Sequence, residues 1–595
     1  MVESTINSIL AADCGSATTT VALIERVAGK YRLIATGQAP STYAPPWQDI
    51  RIGLREAIRH IEAVTERTLL TQGGRPILSD PGTAPDSRQQ GVDAFIAVSS
   101  AGPPLQMMVA GLMQDITLTS ARRATATTYT RITSLLSLDA NHYERYSADI
   151  PFKTIQEEQP EVILLVGGTD GGAERPIIEM ANIISLALQV FNHLEKPHIL
   201  YAGNIEARAQ IAEILGPVAP LKMVDNIRPA LDLENIAAVQ MELESLYIEQ
   251  KMSRLPGFQK LRHWTDYPII PAGKSFEQVI AYIGRHHGWN VIGADIGCGA
   301  TAVAAQTPTQ QQRTIRSDAG IGYGLASLLK LIPIEKIHRW LSFDMSLPEL
   351  HNQLLNKSLH PTSIPTTYED LIIEHAVARE ALRLVIEQAR ANWPLQPWLG
   401  LRAIQWNLMI GAGRALTRAP QPGYAVLIML DAIEPWGVTS LALDSGGVVN
   451  MLGSIATIQP LAAVEVARDA FLNLGTVVAL AGHGQPGKPA LNFKISYRNG
   501  DTLKTEIPYG AIEVISLPPG EKATLEIRPD RYFDIGLGQP GRGALAEVEG
   551  GILGIIIDAR GRPLRLPKDD TRRQMQLRQW LAKLGVPHAN SDNNH

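Results

Sequence analysis

Val291 to Ala302 reads V-I-G-A-D-I-G-C-G-A-T-A: an apolar run, a carboxylate, a glycine-rich turn, then a threonine opening the next apolar run. Near the N-terminus, Ile9 to Thr20 reads I-L-A-A-D-C-G-S-A-T-T-T and repeats that order. Glycine accepts positive φ and close approach, so the backbone N–H groups of such a turn can close around phosphate oxygens. Asp13 and Asp295, just before the two turns, are placed to hold a magnesium ion through water. One such loop is a weak signal. Two of them, about half the chain apart, predict one phosphate group gripped from both sides by two related halves.

The chain has 595 residues, 45% hydrophobic and 19% charged, with a formal net charge of -5. That length exceeds one ordinary domain and can bury several cores, and the composition is that of a globular protein. The slightly negative balance argues against a general nucleic-acid or anionic-membrane surface. No uninterrupted apolar run is long enough to cross a bilayer, and Met1 to Ile9 lacks the basic start and apolar body of a secretory signal, so a cytoplasmic location is expected. The two cysteines, Cys14 and Cys298, each lie inside one of the glycine turns. Disulfide frameworks and structural zinc sites need more cysteines at other spacings, so these two read as small residues filling tight turns.

Taken in order, Ile9 to Asp13, Thr19 to Arg26 and Tyr31 to Gln38 alternate around turns and predict an antiparallel meander. Asp49 to Leu70 has helical spacing, Thr71 to Gly91 reads as an exposed loop, and Val92 to Ser99 is a further strand whose end offers Ser99 and Ser100 to a cleft. From Glu161 to Val224 the pattern becomes a parallel βαβαβ unit, with Asn204 a candidate helix cap. Its first loop, Gly167 to Gly172, holds Gly168, Thr169 and Asp170. Glycines before a helix N-terminus suit an anion, whereas Asp170 suits a bound magnesium, an attacking water or a simple cap. Ser317 to Gly324 is glycine-rich and either faces a ligand or is structural. Tyr368 to Trp393 is an amphipathic helix. Gln405 to Arg414 reads Q-W-N-L-M-I-G-A-G-R; Gly411 and Gly413 would let backbone lie against a purine or ribose, with Arg414 available to stack on the base. Thr439 to Asp444 and Val448 to Leu452 read as a hairpin through Ser445-Gly-Gly447. Leu491 to Arg528 contains short alternating strands, suggesting a small β-sandwich or barrel, and Asp569 to Leu584 a terminal helix before a polar tail.

This ordered set resembles the actin, heat-shock-chaperone and sugar-kinase ATPase fold over roughly Ile6 to Leu452. The resemblance implies an α/β, actin-like (ribonuclease H-like) ATPase with two related halves, an inserted βαβ unit and a C-terminal β-rich module. The expected divisions are 1-160 and 291-455 for the halves, 161-290 for the insertion and 456-595 for the module. It implies that Asp13, Gly15, Ser16, Thr18 and Thr19 in the first turn, with Asp295, Gly297, Gly299 and Thr301 in the second, hold phosphates and Mg²⁺. Gly411, Gly413 and Arg414 would meet the adenosine, and Asp170 would orient water or metal. V-G-G-T-D-G-G at 166–172, Y-A-G-N at 201–204, A-D-I-G-C-G-A-T at 294–301 and I-M-L-D-A-I-E-P-W-G-V-T at 428–439 look like the MutL/GlmL family, named after glutamate mutase and distinct from the mismatch-repair protein of similar name. That resemblance implies an ATP-dependent reactivating chaperone for adenosylcobalamin-dependent mutases and aminomutases, which removes damaged cobalamin.

A small-molecule kinase or acyl-activating enzyme on the same fold is the alternative; it would need a substrate pocket with a base, a role Asp170 also suits. Resident cobalamin is not expected, because the base-off signature Asp-x-His-x-x-Gly is absent from the chain. Lone histidines such as His193 or His375 read as packed or solvated side chains rather than ligands. The C-terminal module would bind the client enzyme, form a homodimer contact or stabilise the fold.

Overall fold

A computed structural model of the chain describes residues 6–79, 90–138, 149–190, 195–393 and 404–587. His193, the tip of the Thr71–Gly91 loop and the end of the polar tail lie outside the described residues. Two compact units emerge: Met1–Ala101 with Pro256–Thr314 and Asp318–His595, and Gly102–Leu255 with Ile315–Ser317.

The larger unit is built twice on one plan. Ser8–Cys14 (β1), Thr18–Val27 (β2) and Lys30–Pro40 (β3) form the expected antiparallel meander, and Ala94–Ser99 (β4) and Ile270–Pro271 (β5) extend it in parallel, in the order β5-β4-β1-β2-β3. The second sheet repeats that order with Val291–Ile296 (β6), Thr301–Gln306 (β7), Gln311–Arg316 (β8), Leu408–Ala412 (β9) and Gly437–Asp444 (β10), as β8-β7-β6-β9-β10. β6 and β7 are antiparallel, and β6, β9 and β10 are parallel neighbours. The central strands are covered on both faces, which is why they read as nearly unbroken apolar runs; every residue of β1 except Asp13 is buried.

In each half the fifth strand is followed by a helix: Ala272–His287 (α1) in the first, Val449–Ile458 (α2) in the second. This corrects the hairpin expected from Val448 to Leu452. A short V-V-N-M-L run carries no period that separates strand from buried helix, and packing decides: Val449, Met451, Leu452 and Ile455 are all buried. α1 and α2 cross in contact. A Cβ on Gly453 would lie 1.8 Å from the Ser275 carbonyl oxygen, and the Ser454 amide donates to Ser275 Oγ at 2.8 Å.

The smaller unit is a five-stranded parallel sheet, ordered Thr130–Ser137, Leu105–Gly111, Val162–Val166, His198–Tyr201, Leu221–Met223. The βαβαβ segment expected from Glu161 is therefore its second part. Two strands from before residue 161 complete the sheet, so the insertion begins at Gly102.

The C-terminal segment is likewise only partly a module of its own. Phe471–Ala479 (β11), Ile512–Ile515 (β12) and Ile555–Asp558 (β13) continue the second half's sheet as β10-β11-β13-β12. Pro489–Tyr497, Thr502–Pro508, Lys522–Pro529 and Ala544–Glu549 form a separate antiparallel sheet. Phe493, Ile495, Leu525 and Ile527 of that sheet share one core cluster with Val478, Ile555 and Ile557.

A buried charge chain locks this segment down. Arg560 forks onto Asp558 with two 2.9 Å hydrogen bonds and reaches Asp431 at 2.7 Å, and Asp431 also accepts from Arg379 Nε at 2.9 Å. Arg562 pairs with the same Asp558, and the Arg560 guanidinium lies over Trp580 of the terminal helix Asp570–Lys583. The arginines around it hold Asp558 far below the usual carboxylate range despite burial, which alone would raise it. Breaking such a pair from one side strands the remaining charges in low dielectric. Asp558→Ala is expected to lower the unfolding free energy of the larger unit by about 3–5 kcal/mol, measured by urea unfolding. A loss below about 1 kcal/mol would mean that the chain behaves as a surface pair.

Candidate functional site

The two acid-tipped turns share one geometry. In the first, Cys14 pairs with Thr19 and the Gly15 amide donates to the Thr18 carbonyl at 3.0 Å; in the second, Ile296 pairs with Thr301 and the Gly297 amide donates to the Ala300 carbonyl at 2.9 Å. A Cβ on Gly15 or Gly297 would sit 2.7 Å from the same carbonyl oxygens, so each turn requires glycine there. The turns also face each other: a Cβ on Gly299 would come within 3.1 Å of Ser16 Oγ.

Their carboxylates converge as well. Asn450 Nδ2, in the first turn of α2, donates to Asp13 Oδ2 and to Asp295 Oδ2, each at 3.1 Å. Asp13 Oδ1 and Asn450 Oδ1 are buried and have no hydrogen-bond partner. Asp444, 2% exposed, ends β10 and caps α2 by accepting from the Val448 and Val449 amides at 2.9 Å each. Burial pushes Asp13 up to about 7; the Asn450 hydrogen bond opposes this, and the charges of Asp295 and Asp444 add to it. Burial also raises Asp295, and it lifts Asp444 to about 6 against its backbone hydrogen bonds. Two carboxylates converging on one amide, one of them with an unpartnered oxygen, offer hard oxygens that fit Mg²⁺ sharing its shell with water and phosphate. Among the described residues no group of three or more His, Cys, Asp or Glu side chains is placed to hold a metal unaided.

The other expected residues divide by location. Thr18 stays at the gap, where its hydroxyl accepts from Arg414 Nη1 at 2.7 Å. Arg414 is thus tied to the first turn, whereas the sequence suggested a base-stacking role. Gly411 lies inside β9, packed against Leu443 and Met429, and Gly413 follows the strand with φ 86°; a Cβ on Gly413 would lie 2.2 Å from the Ile296 carbonyl, so this loop is pressed against the second turn. Thr301 does not face the gap. It is fully buried, and its hydroxyl donates to the Ala319 carbonyl at 2.7 Å, bracing the turn from behind. Thr19, its counterpart in register, is equally buried. Ser99 is buried and donates to the Cys14 carbonyl, and the Ser100 amide donates to that same oxygen, so both brace the first turn. Gly320 to Gly324 wraps the second turn, with the Ile321 amide on the Gly297 carbonyl and the Gly322 amide on that of Cys298. Burial raises both thiols above their usual range, as expected of packing residues. His375 is buried and pushed down to about 3 by burial and Arg379, hence a neutral core side chain.

Gly168, Thr169 and Asp170 belong to the smaller unit. Their loop follows the third strand, beside the end of the first strand, where the strand order reverses. Asp170 Oδ1 accepts from the Ile205 amide at 3.1 Å and from Asn226 Nδ2 at 2.8 Å, and Asn204 Nδ2 donates to the Gly172 carbonyl. The acid staples three loops of its own sheet. Asn204 accepts from the Glu206 amide in a turn, and the helix starts only at Arg208.

Sequence reasoning missed Asn450 and Asp444. The available signal was the repeat itself: if the first half ends strand five in a helix at Ala272, the second half should do so after Asp444.

The repeated strand order, with paired acid-tipped turns between the halves, defines an actin-like, ribonuclease H-like fold. The chain belongs to the MutL protein family, whose model matches residues 9–471. Protein MutL of Clostridium tetanomorphum is 22% identical over 357 residues, covering 55% of this chain and 74% of that protein. Among solved structures, a glycerol dehydratase reactivase (9% identity, TM-score 0.29, 76% of this chain and 100% of that one) is a distant match. So is component A of (R)-2-hydroxyglutaryl-CoA dehydratase from Acidaminococcus fermentans (7%, TM-score 0.25, 78% and 99%). No helix among the described residues is long and apolar enough to cross a membrane.

Because Asp13 is raised in the native state, the folded protein holds a proton that the unfolded chain releases. The stabilisation from that proton is complete below the usual carboxylate range near pH 4 and is lost as pH rises through about 7. Without metal, Asp13→Asn should therefore gain stability relative to wild type between pH 5 and pH 8, by roughly 1–3 °C in Tm. Parallel Tm–pH curves for the two proteins would contradict the assignment.

Proposed function

We propose that this protein binds Mg·ATP between the Asp13 and Asp295 turns and couples ATP binding and hydrolysis to reactivation of an adenosylcobalamin-dependent mutase or aminomutase, releasing damaged cobalamin. The observation that carries the nucleotide reading is the convergence of Asp13 Oδ2 and Asp295 Oδ2 on one amide nitrogen, with Ser16 packed against Gly299. Membership of the MutL family supports the client.

In this reading the backbone of Gly15–Thr18 and Gly297–Ala300 grips the phosphates from opposite sides, with Thr18 and Arg414 at the rim of the first turn. Arg414 supplies positive charge where the departing phosphoryl group gathers negative charge. Asp13 and Asp295 would hold Mg²⁺, which neutralises the phosphate oxygens when bound. Hydrolysis breaks the bond between the γ-phosphorus and the β,γ-bridging oxygen as water adds to phosphorus, leaving ADP and phosphate. The loop at Gly413, on the adenosine side in this reading, presses against the second turn, and Arg414 ties it to Thr18 of the first. Closure and reopening of a cleft by such contacts is a known route from chemistry to motion.

Asp13→Ala and Asp295→Ala should each lower ATP turnover roughly 100-fold or more while leaving the far-UV circular dichroism unchanged. Unaltered turnover in both would remove the metal role. Adding the protein with Mg·ATP to a mutase inactivated by cyanocobalamin should restore activity once adenosylcobalamin is supplied. Phosphorylation of a small acceptor without any mutase would favour a kinase instead.

A further inference from the structure

Asn450 lies at the centre of the site, yet it is neither acidic nor part of either turn. Its single Nδ2 carries two hydrogens, and each carboxylate takes one, at equal 3.1 Å distances. The two acids come from sequence positions 437 and 155 residues away, one from each half, and they repel each other. The amide oxygen on the other side of the same group is buried and without a partner, a costly arrangement for a side chain that serves only as a donor.

The side chain also has little freedom to leave. Asn450 precedes Gly453 by three residues, so it lies one turn from the point where α2 meets α1 with no room for a Cβ. The helix start beneath it is fixed by both Asp444 oxygens. With the helix anchored at both points, a change at Asn450 is confined to its own torsions.

We propose that Asn450 is a positioning residue that stands in for the cation. With the site empty its NH₂ group bridges Asp13 and Asp295 and keeps the two turns at cation-binding spacing. With the cation present the amide turns over, and Oδ1 becomes the third protein oxygen beside the two carboxylates. The turnover exchanges donor for acceptor at one place without moving α2. The proposal rests on the reading that a cation sits between the turns.

The test is the thermal shift of the full-length protein on adding MgCl₂ alone and Mg·ATP, in wild type, Asn450→Ala, Asn450→Asp and the milder Asn450→Ser. Without Mg²⁺, Asn450→Ala and Asn450→Ser should melt below wild type, and Asn450→Asp lowest, because a further carboxylate is added to the cluster. Mg²⁺ alone should then raise Tm most in Asn450→Asp, by roughly twice the wild-type shift or more, and least in Asn450→Ala, which lacks the third oxygen. Equal Mg²⁺ shifts in all variants that fold, with wild type still stabilised by Mg·ATP, would make Asn450 merely structural and overturn this proposal alone. Absence of any shift with Mg²⁺ or Mg·ATP, wild type included, would overturn both it and the nucleotide reading beneath it.

Discussion

Two carboxylates of like charge, brought from opposite halves to a single amide, are the constraint around which the larger unit is arranged. Repulsion between Asp13 and Asp295, together with their burial, disfavours bringing them together, and the raised Asp13 pKa expresses that cost. The surrounding structure sustains it. Each carboxylate is the last residue but one of a packed central strand, each is followed by a turn that tolerates no side chain at its first glycine, and each turn is braced from behind by a buried hydroxyl, Ser99 on one side and Thr301 on the other. A functional site held against its own electrostatics is where stability is given up for binding.

Close backbone approach is the second theme, and it joins the halves mechanically. Gly413 is pressed onto Ile296 and Gly453 onto Ser275, so the Gly413 loop meets the second turn, and the two crossing helices meet each other, without intervening side chains. Contacts made by backbone have few alternative arrangements. The buried chain Arg379–Asp431–Arg560–Asp558 does the corresponding work at the far edge of the second sheet, where it makes the last strands part of the larger unit.

Much of this was legible in the chain. The meander from β1 to β3, the helix starting at Tyr368, the strand leading to Gly413 and the terminal helix all follow from local periodicity and glycine placement. The failures have a common cause. Val448 to Leu452 is apolar and short, and Ile512–Ile515 looks like its neighbours in the small sheet although it pairs with Ile555–Asp558. Likewise Leu105–Gly111 looks like part of the first half although it joins Val162–Val166. In each case the residues state that they want burial, and nothing in their order says against what.

The sequence by itself determined the two acid-tipped turns, because an aspartate before a glycine that cannot carry a Cβ is a local property of a strand end. It also determined that the thiols pack and that the chain has two related halves. Only the tertiary structure decided that Asn450 joins the two acids, that Thr301 faces inward, that Arg414 meets Thr18, and that Asp170 staples the loops of the smaller unit. Those pairings join residues up to 437 positions apart. They are set by which strands lie side by side and which helices cross, a matter of packing that no local pattern encodes.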